Sequence, residues 1–510
     1  MQSILPAGLI SIIVAWGIFS PLTLAAVFDA ALRVTTRNFG WLYLWTVLGL
    51  VIFALFLAIS RYGNLKLGGE DDEPAFSLGS WFAMLFAAGM GIGLVFWGAA
   101  EPISHYNAAP PGVVPGTPEA ANAAMRYSFF HWGLHPWAVY SIVALAIAFF
   151  QYRRQRPALI SETISALPWR PVRRLAGLSN GLAVIATAFG VAASLGMGAL
   201  QINSGLEAAF GLPVSQAAQI GIILVTTALF ITSAVSGVDK GIKWLSVTNM
   251  TIAALLMLVI LVVGPTIAII DTFTNTLGSY ISDIVRMSLR MTPFRESSWV
   301  GGWTVFYWAW WISWSPFVGQ FIARVSHGRT IREFIFGTVL VPALLAFLWF
   351  SVFGGTALYM EIWQGLPISE AVQKDVSTAL FVMFDAMPFG FIMSVAATIL
   401  VLIFFVTSGD SATLVLGMMS TGGNPNPPAR VKIIWGSLVA GIAMSLLLAG
   451  GLEAVQTATI VFALPFAFVI LLMVVSLWRA IRVDWMEEQR KEREWRDRLR
   501  RLVSKDVANS

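Results

Sequence analysis

The stretch Trp81–Ala100, "WFAMLFAAGMGIGLVFWGAA", holds no charged residue, yet it sets Gly89, Gly91 and Gly93 at alternate positions. An apolar run of about 20 residues is long enough to cross a bilayer as a helix. Each glycine costs such a helix roughly 0.5–1 kcal/mol relative to alanine. A span that weakens itself three times in five residues predicts a broken helix whose bare backbone is put to use. Irregular backbone is tolerated at membrane depth only where it lines a protein cavity. Close helix packing through small residues gives a second account of the same glycines.

Working outward, 57% of the 510 residues are hydrophobic and 12% are charged, against roughly 25% charged in soluble domains. Apolar windows predict an all-α integral membrane protein of twelve transmembrane helices, centred near Ile13, Val51, Gly91, Tyr140, Val191, Leu224, Met257, Trp311, Phe347, Val401, Ala440 and Phe466. The first run starts at Ile4 without a basic leader and is too long for a cleavable signal core, so it is read as the first span. With no cysteine, disulfides and thiolate metal sites are excluded. Most of the 32 lysines and arginines fall in alternate loops, chiefly Arg153–Arg174, "ARVSHGRTIRE" (Ala323–Glu333) and the tail from Arg479. The positive-inside rule then places both termini in the cytoplasm. No basic soluble module is present, so nucleic acid is not an expected partner.

Residues 1–78 hold two spans that stand apart from the rest. The stretch 268–298 is amphipathic and too polar to cross, and reads as a helix on the outer surface. It separates five spans in residues 79–267 from five in residues 299–478, leaving a charged cytoplasmic helix over residues 479–510. Two sets of five with opposite starting directions form an inverted-topology repeat. Each set begins with helix breakers: the three glycines in one, and "WISWSPFVG" (Trp311–Gly319), with Pro316 and Gly319, in the other. Matched interruptions of this kind point to a binding site near the bilayer midplane.

Two spans concentrate tryptophan: "FFHWGLHPWAVY" carries Trp132, Trp137 and Tyr140, and "WAWWISW" carries Trp308, Trp310, Trp311 and Trp314. A single tryptophan is most simply an interfacial anchor, but four within seven residues point to a cage. Aromatic faces suit a quaternary ammonium, which has no N–H to donate; each desolvated contact contributes up to about 2 kcal/mol. A permanently cationic substrate would call for a carboxylate beside the cage. Asp410, in "FFVTSGDSATLV", reads as the only acid near the middle of a span, and it has the alternative role of pairing locally to hold its helix. A zwitterion brings its own negative charge, which could rest on N–H groups of the Gly89–Gly93 segment. The four histidines are scattered, and His131 and His135 lack acidic partners at metal-ligand spacing; no catalytic constellation is seen.

Taken together, "GMGIG", "HWGLHPWAVY", "WAWWISWSPFVG", "RTIREF" and "FFVTSGDSA" resemble the betaine/choline/carnitine transporter family over nearly the whole chain. The resemblance implies a LeuT-type 5+5 inverted repeat behind two extra N-terminal helices, usually a homotrimer. It assigns an aromatic cage to Trp132, Trp137, Tyr140 and Trp311, with Trp310 and Trp314 near its entrance. Choline-accepting relatives tend to carry Asp where this chain has Gly93. A sodium site would use backbone carbonyls of Ala87, Met90 and Phe404 with the hydroxyls of Thr407 and Ser408. At a possible second sodium site Thr187, Ser194 and Phe317 are retained, but Val191 replaces one hydroxyl. The function implied is sodium-coupled symport of glycine betaine or a related methylated zwitterion. Carriers of ectoine, carnitine or a sulfonium osmolyte, or a non-transporting osmosensor, are the alternatives. The tail "RVDWMEEQRKEREWRDRLRRLVSK" (Arg482–Lys505) reads as a charged helix able to meet anionic lipid.

Overall fold

A computed structural model describes the backbone of residues 4–89, 91–236, 239–294 and 298–508, and side chains there except at residues 4, 86–89, 170, 171, 173, 174, 239–243, 499 and 503–508. The described residues are helical throughout their regular structure, apart from one antiparallel bridge between Lys66 and Thr330. The first part comprises α1 (Ile4–Phe19), α2 (Pro21–Ile59), α3 (Leu78–Gly89), α4 (Ile92–Asn107), α5 (Pro118–Trp132), α6 (Leu134–Ala148), α7 (Ile160–Ser165), α8 (Arg170–Phe210), α9 (Gln216–Ser236) and α10 (Asp239–Val263). Then come α11 (Thr266–Ser288), α12 (Phe306–Val325), α13 (Ile331–Gln364), α14 (Ile368–Lys374), α15 (Ala379–Asp385), α16 (Gly390–Ser420) and α17 (Ala429–Ala508).

Among the described residues, 8 helical stretches are long and apolar enough to cross a membrane. They do not map one to one onto the twelve expected spans, and local structure explains why. The third span is split between α3 and α4, as its glycines predict. α17 joins two expected spans across a bend at Gly450 and Gly451, where Gly451 takes φ 62°, a conformation that disfavours any side chain. The first span, α1, is only 16 residues long.

The second expected interruption is not a break. α12 runs continuously through Pro316. Proline removes one N–H and would leave the Ile312 carbonyl unmet; the Ser315 hydroxyl donates to that carbonyl at 2.7 Å. The irregularity of this segment lies earlier, in a π-helical turn at Gly301–Val305. In contrast, the Trp132–Trp137 stretch is not one helix, because the chain breaks at Gly133 between α5 and α6.

The expected surface helix is α11, though it spans Thr266–Ser288 rather than residues 268–298. It packs on α5 and α13, and Asp283 holds Arg126 of α5 at 2.9 Å. At the opposite end, α13 opens with a capping box in which Thr330 and Glu333 each accept the other's backbone N–H. Leu67 there donates to the Arg329 carbonyl at 2.8 Å, pinning the loop after α2. The tail is helical as expected and is tethered: Arg153 holds Asp484 at 2.9 Å and also meets Glu488, and the Arg61 guanidinium lies 4.1 Å over Trp485.

Candidate functional site

The break between α3 and α4 exposes two helix ends at one point. Residues at the end of α3 have carbonyls with no intrahelical partner, and residues at the start of α4 have free N–H groups. Helix dipoles make the first end favourable for a cation and the second for an anion. Gly91 caps α4 in extended conformation without a side-chain bond, and its α-carbon faces open space.

Against this break lies a cavity of about 820 Å³. Trp132, Trp137, Tyr140, Trp310, Trp311 and Trp314 all line it, together with Gly91 and Gly93. The rings are built as a continuous wall. Trp311 stacks on Trp310 at 5.0 Å, meets Trp132 edge-on at 4.8 Å and stands 5.9 Å from Tyr140, which lies 5.5 Å from Trp137. The indole N–H of Trp311 donates to the His131 carbonyl at 3.0 Å, and that of Trp314 to the Gly190 carbonyl at 2.8 Å. These bonds occupy the polar edges and leave the π faces for a guest.

Gly93 is required by packing. A Cβ there would overlap the Trp310 ring and come 3.2 Å from the Trp132 ring. The helix start can therefore approach the aromatic wall only as bare backbone. Of the other glycines of this stretch, Gly89 ends α3, and its surroundings lie outside the described side chains.

Of the sodium candidates, Phe404, Thr407 and Ser408 on α16 line the cavity with Gly91. Thr407 donates its hydroxyl to the Ile403 carbonyl at 2.9 Å, leaving its lone pairs available. Ala87 lies in the last turn of α3, where carbonyls are unpartnered by geometry; Met90 lies outside the described residues. The second set is not brought together. Ser194 and Phe317 line the cavity, but Thr187 is buried away from it with an unbonded hydroxyl. Thr187 and Ser194 sit seven positions apart on continuous α8, about 10 Å along its axis, too far for one ion to bridge.

Besides Asp410, a further acid that the sequence sets at the end of an apolar run is buried among the helices beside the aromatic wall. Glu101, on α4, is 0% exposed. Its Oε1 accepts from His131 Nδ1 at 2.7 Å and from His105 Nε2 at 3.1 Å; its Oε2 accepts from Trp132 Nε1 at 2.8 Å and from the Tyr307 hydroxyl at 2.5 Å. Thr304 then donates to His131 Nε2 at 3.1 Å. His131 thus has the acidic partner that its sequence neighbours do not supply. Glu101, His105 and His131 form a group whose ligand atoms could surround a metal ion. The carboxylate oxygen instead sits at hydrogen-bond distance from both rings, and its second oxygen is fully engaged by Trp132 and Tyr307. Asp410 is buried and also lines the cavity.

Two further polar groups reach the cavity without a sequence signal. Asn249 comes from α10, and Gln320 from α12. Gln320 is 8% exposed and both ends of its amide lack a hydrogen-bond partner. An unbonded amide at a cavity wall is a ready donor or acceptor for a passing solute.

Comparison with known proteins agrees with this geometry. The family model described as "BCCT, betaine/carnitine/choline family transporter" matches residues 2–486. The chain is 50% identical over 483 residues to the glycine betaine transporter OpuD of Bacillus subtilis, covering 94% of each. It is 44% identical to the ectoine/hydroxyectoine transporter of Virgibacillus pantothenticus, covering 95% of this chain and 97% of that one. It is also 44% identical to glycine betaine transporter 1 of Vibrio parahaemolyticus, covering 88% and 86%. An all-helical chain with many apolar helices, an aromatic-walled cavity and these matches belongs to the betaine/carnitine/choline transporter family: it is a multi-pass membrane transporter, not an enzyme.

Proposed function

We propose that the protein is a secondary active symporter that imports glycine betaine, or a closely related methylated zwitterion, together with sodium by alternating access. The observation that carries this reading is the meeting of an aromatic wall (Trp132, Trp137, Tyr140, Trp311) with the free N-terminus of α4 in one cavity. The rings take the fixed positive centre through cation–π attraction. The α4 N–H groups take the carboxylate. The two charges of the solute are thereby met by groups lining one cavity, without any bond chemistry.

Sodium is the driving ion in this reading. The carbonyl end of α3 and the Phe404, Thr407 and Ser408 oxygens of α16 would form its ligand set, tying the broken span to α16. Each sodium that enters with a neutral solute gains about 2.3 kcal/mol per 100 mV of membrane potential, roughly 50-fold in accumulation. The finer architecture belongs to the same reading. Twelve spans result when α1, the α3–α4 pair, α12 and both arms of α17 are each counted as crossing, and residues 79–267 and 299–478 then form the two inverted repeats. The cavity lining extends to Arg156 and Arg324, which the positive-inside rule assigns to the cytoplasm. The conformation is accordingly read as open to the inside of a bacterial inner membrane, with both termini cytoplasmic. A homotrimer, with the basic tail near anionic lipid, completes the picture.

The ectoine/hydroxyectoine relative favours a second reading, because its coverage is as complete as that of the betaine relatives. Uptake into proteoliposomes separates the two. Labelled glycine betaine should accumulate only with an inward sodium gradient, and unlabelled ectoine should compete weakly. Stronger competition by ectoine would move the assignment to that solute. Sodium-independent accumulation, or none, would overturn the symport reading.

A further inference from the structure

We propose that Glu101 is a positioning residue of the cage: its buried carboxylate sets the orientation of Trp132 directly and that of Trp311 through His131. This inference rests on the substrate reading above. The cage residues come from three elements, α5, α6 and α12, which have no covalent reason to keep their rings in register. Glu101, on α4, touches two of those elements at once. Its Oε2 receives the indole N–H of Trp132 at 2.8 Å and the hydroxyl of Tyr307 at 2.5 Å. Its Oε1 receives His131 Nδ1 at 2.7 Å, and the His131 carbonyl in turn receives the indole N–H of Trp311 at 3.0 Å. Both indoles that meet edge-on at 4.8 Å are thus hung from one acid.

Chemistry supports a carboxylate at this point. Four donors converge on two oxygens, which an ionised acid accepts with all its lone pairs and no proton to place. Bonds to an ionised acceptor are shorter and roughly twice as strong as neutral ones. A buried, ionisable group inside a membrane protein is costly and is retained where it serves a site. Gly93 lies two turns before Glu101 on the same helix, against the Trp310 and Trp132 rings. One short helix therefore presents both the anion-binding end and the hook for the cage, so any shift of α4 moves ring and backbone together.

The test uses the full-length purified protein in nanodiscs, with glycine betaine affinity read by intrinsic fluorescence and sodium affinity by titration. Wild type must first bind betaine; failure there would sink the substrate reading and not this one. Given that binding, Glu101→Ala should weaken betaine at least about tenfold and, because four buried donors lose their acceptor, lower the melting midpoint, while sodium affinity stays near wild type. Glu101→Gln keeps an oxygen for Trp132 and Tyr307, and its amide can donate to His131 in the other tautomer, so it should restore affinity to within about threefold. Wild-type betaine affinity in Glu101→Ala, equal loss of betaine and sodium, or a Gln variant as impaired as the Ala variant would each overturn the proposal.

Discussion

Trp311 stands where the parts of the aromatic wall meet: it stacks on Trp310, meets Trp132 edge-on and hangs from the His131 carbonyl. Replacing it by leucine keeps apolar bulk but removes a π face worth up to about 2 kcal/mol to a desolvated cation. Trp311→Leu should therefore weaken betaine binding by roughly 30-fold in a calorimetric titration, with sodium affinity unchanged; equal loss of both would point to misfolding. At this scale much was legible in the sequence. Tryptophans crowded within one span do not fit an interfacial belt, so aromatic faces around a cavity could be read from residue types, while the choice of Trp132, Trp137, Tyr140 and Trp311 came from the family resemblance. Glu101 could not, because it follows "GAA" at the end of the apolar run and reads as an interfacial charge. Only the break before Ile92 and the fold of α4 between α5 and α13 bring it inside. The one available hint was its spacing of four from His105, which puts both on a single helix face.

At the level of elements, the glycine-rich break was predictable and the proline was not. Glycine lowers helix stability wherever it stands, so three at alternate positions leave little choice. Proline in a helix is decided by whether its orphaned carbonyl finds another donor. In α12 that donor is the neighbouring Ser315, bonded to Ile312 at 2.7 Å. Ser315→Ala should leave a buried carbonyl unmet and destabilise the protein by about 1–3 kcal/mol, seen as a lower unfolding midpoint, whereas Ser315→Thr should be tolerated. A wild-type midpoint for the alanine variant would show that α12 satisfies Ile312 by other means. The same reasoning explains Trp132 and Trp137, which one helix would have placed on different faces. The break at Gly133 lets both line one cavity.

On the scale of the whole molecule, the transport core is joined to its tail by charge. Arg153, at the end of the α6 segment, holds Asp484 and Glu488 while only 11% of its side chain is exposed. The tail's own helical pairs, such as Arg490 with Glu494 at 3.7 Å, are more than half exposed and contribute little. Arg153→Gln should therefore free the tail: limited proteolysis beyond residue 479 should speed up several-fold, and betaine affinity should stay as in wild type. Unchanged proteolysis would mean that Arg154, which also meets Asp484, and the ring contacts of Trp478 and Trp485 with Tyr62 hold the tail without Arg153. The tail helix was legible from its charge pattern, but its anchorage was not, since it depends on residues more than three hundred positions away.

The central claim is that aromatic rings hold a fixed positive centre in the cavity. It is tested most directly by comparing glycine betaine with its carbon isostere, 3,3-dimethylbutyrate, in isothermal titrations of the purified protein at saturating sodium. Shape and carboxylate are the same, and only the charge on the branched head is lost. The account predicts that the isostere binds at least about 30-fold more weakly, the equivalent of one desolvated cation–π contact. Equal affinities would mean that the wall recognises shape alone, and would contradict it.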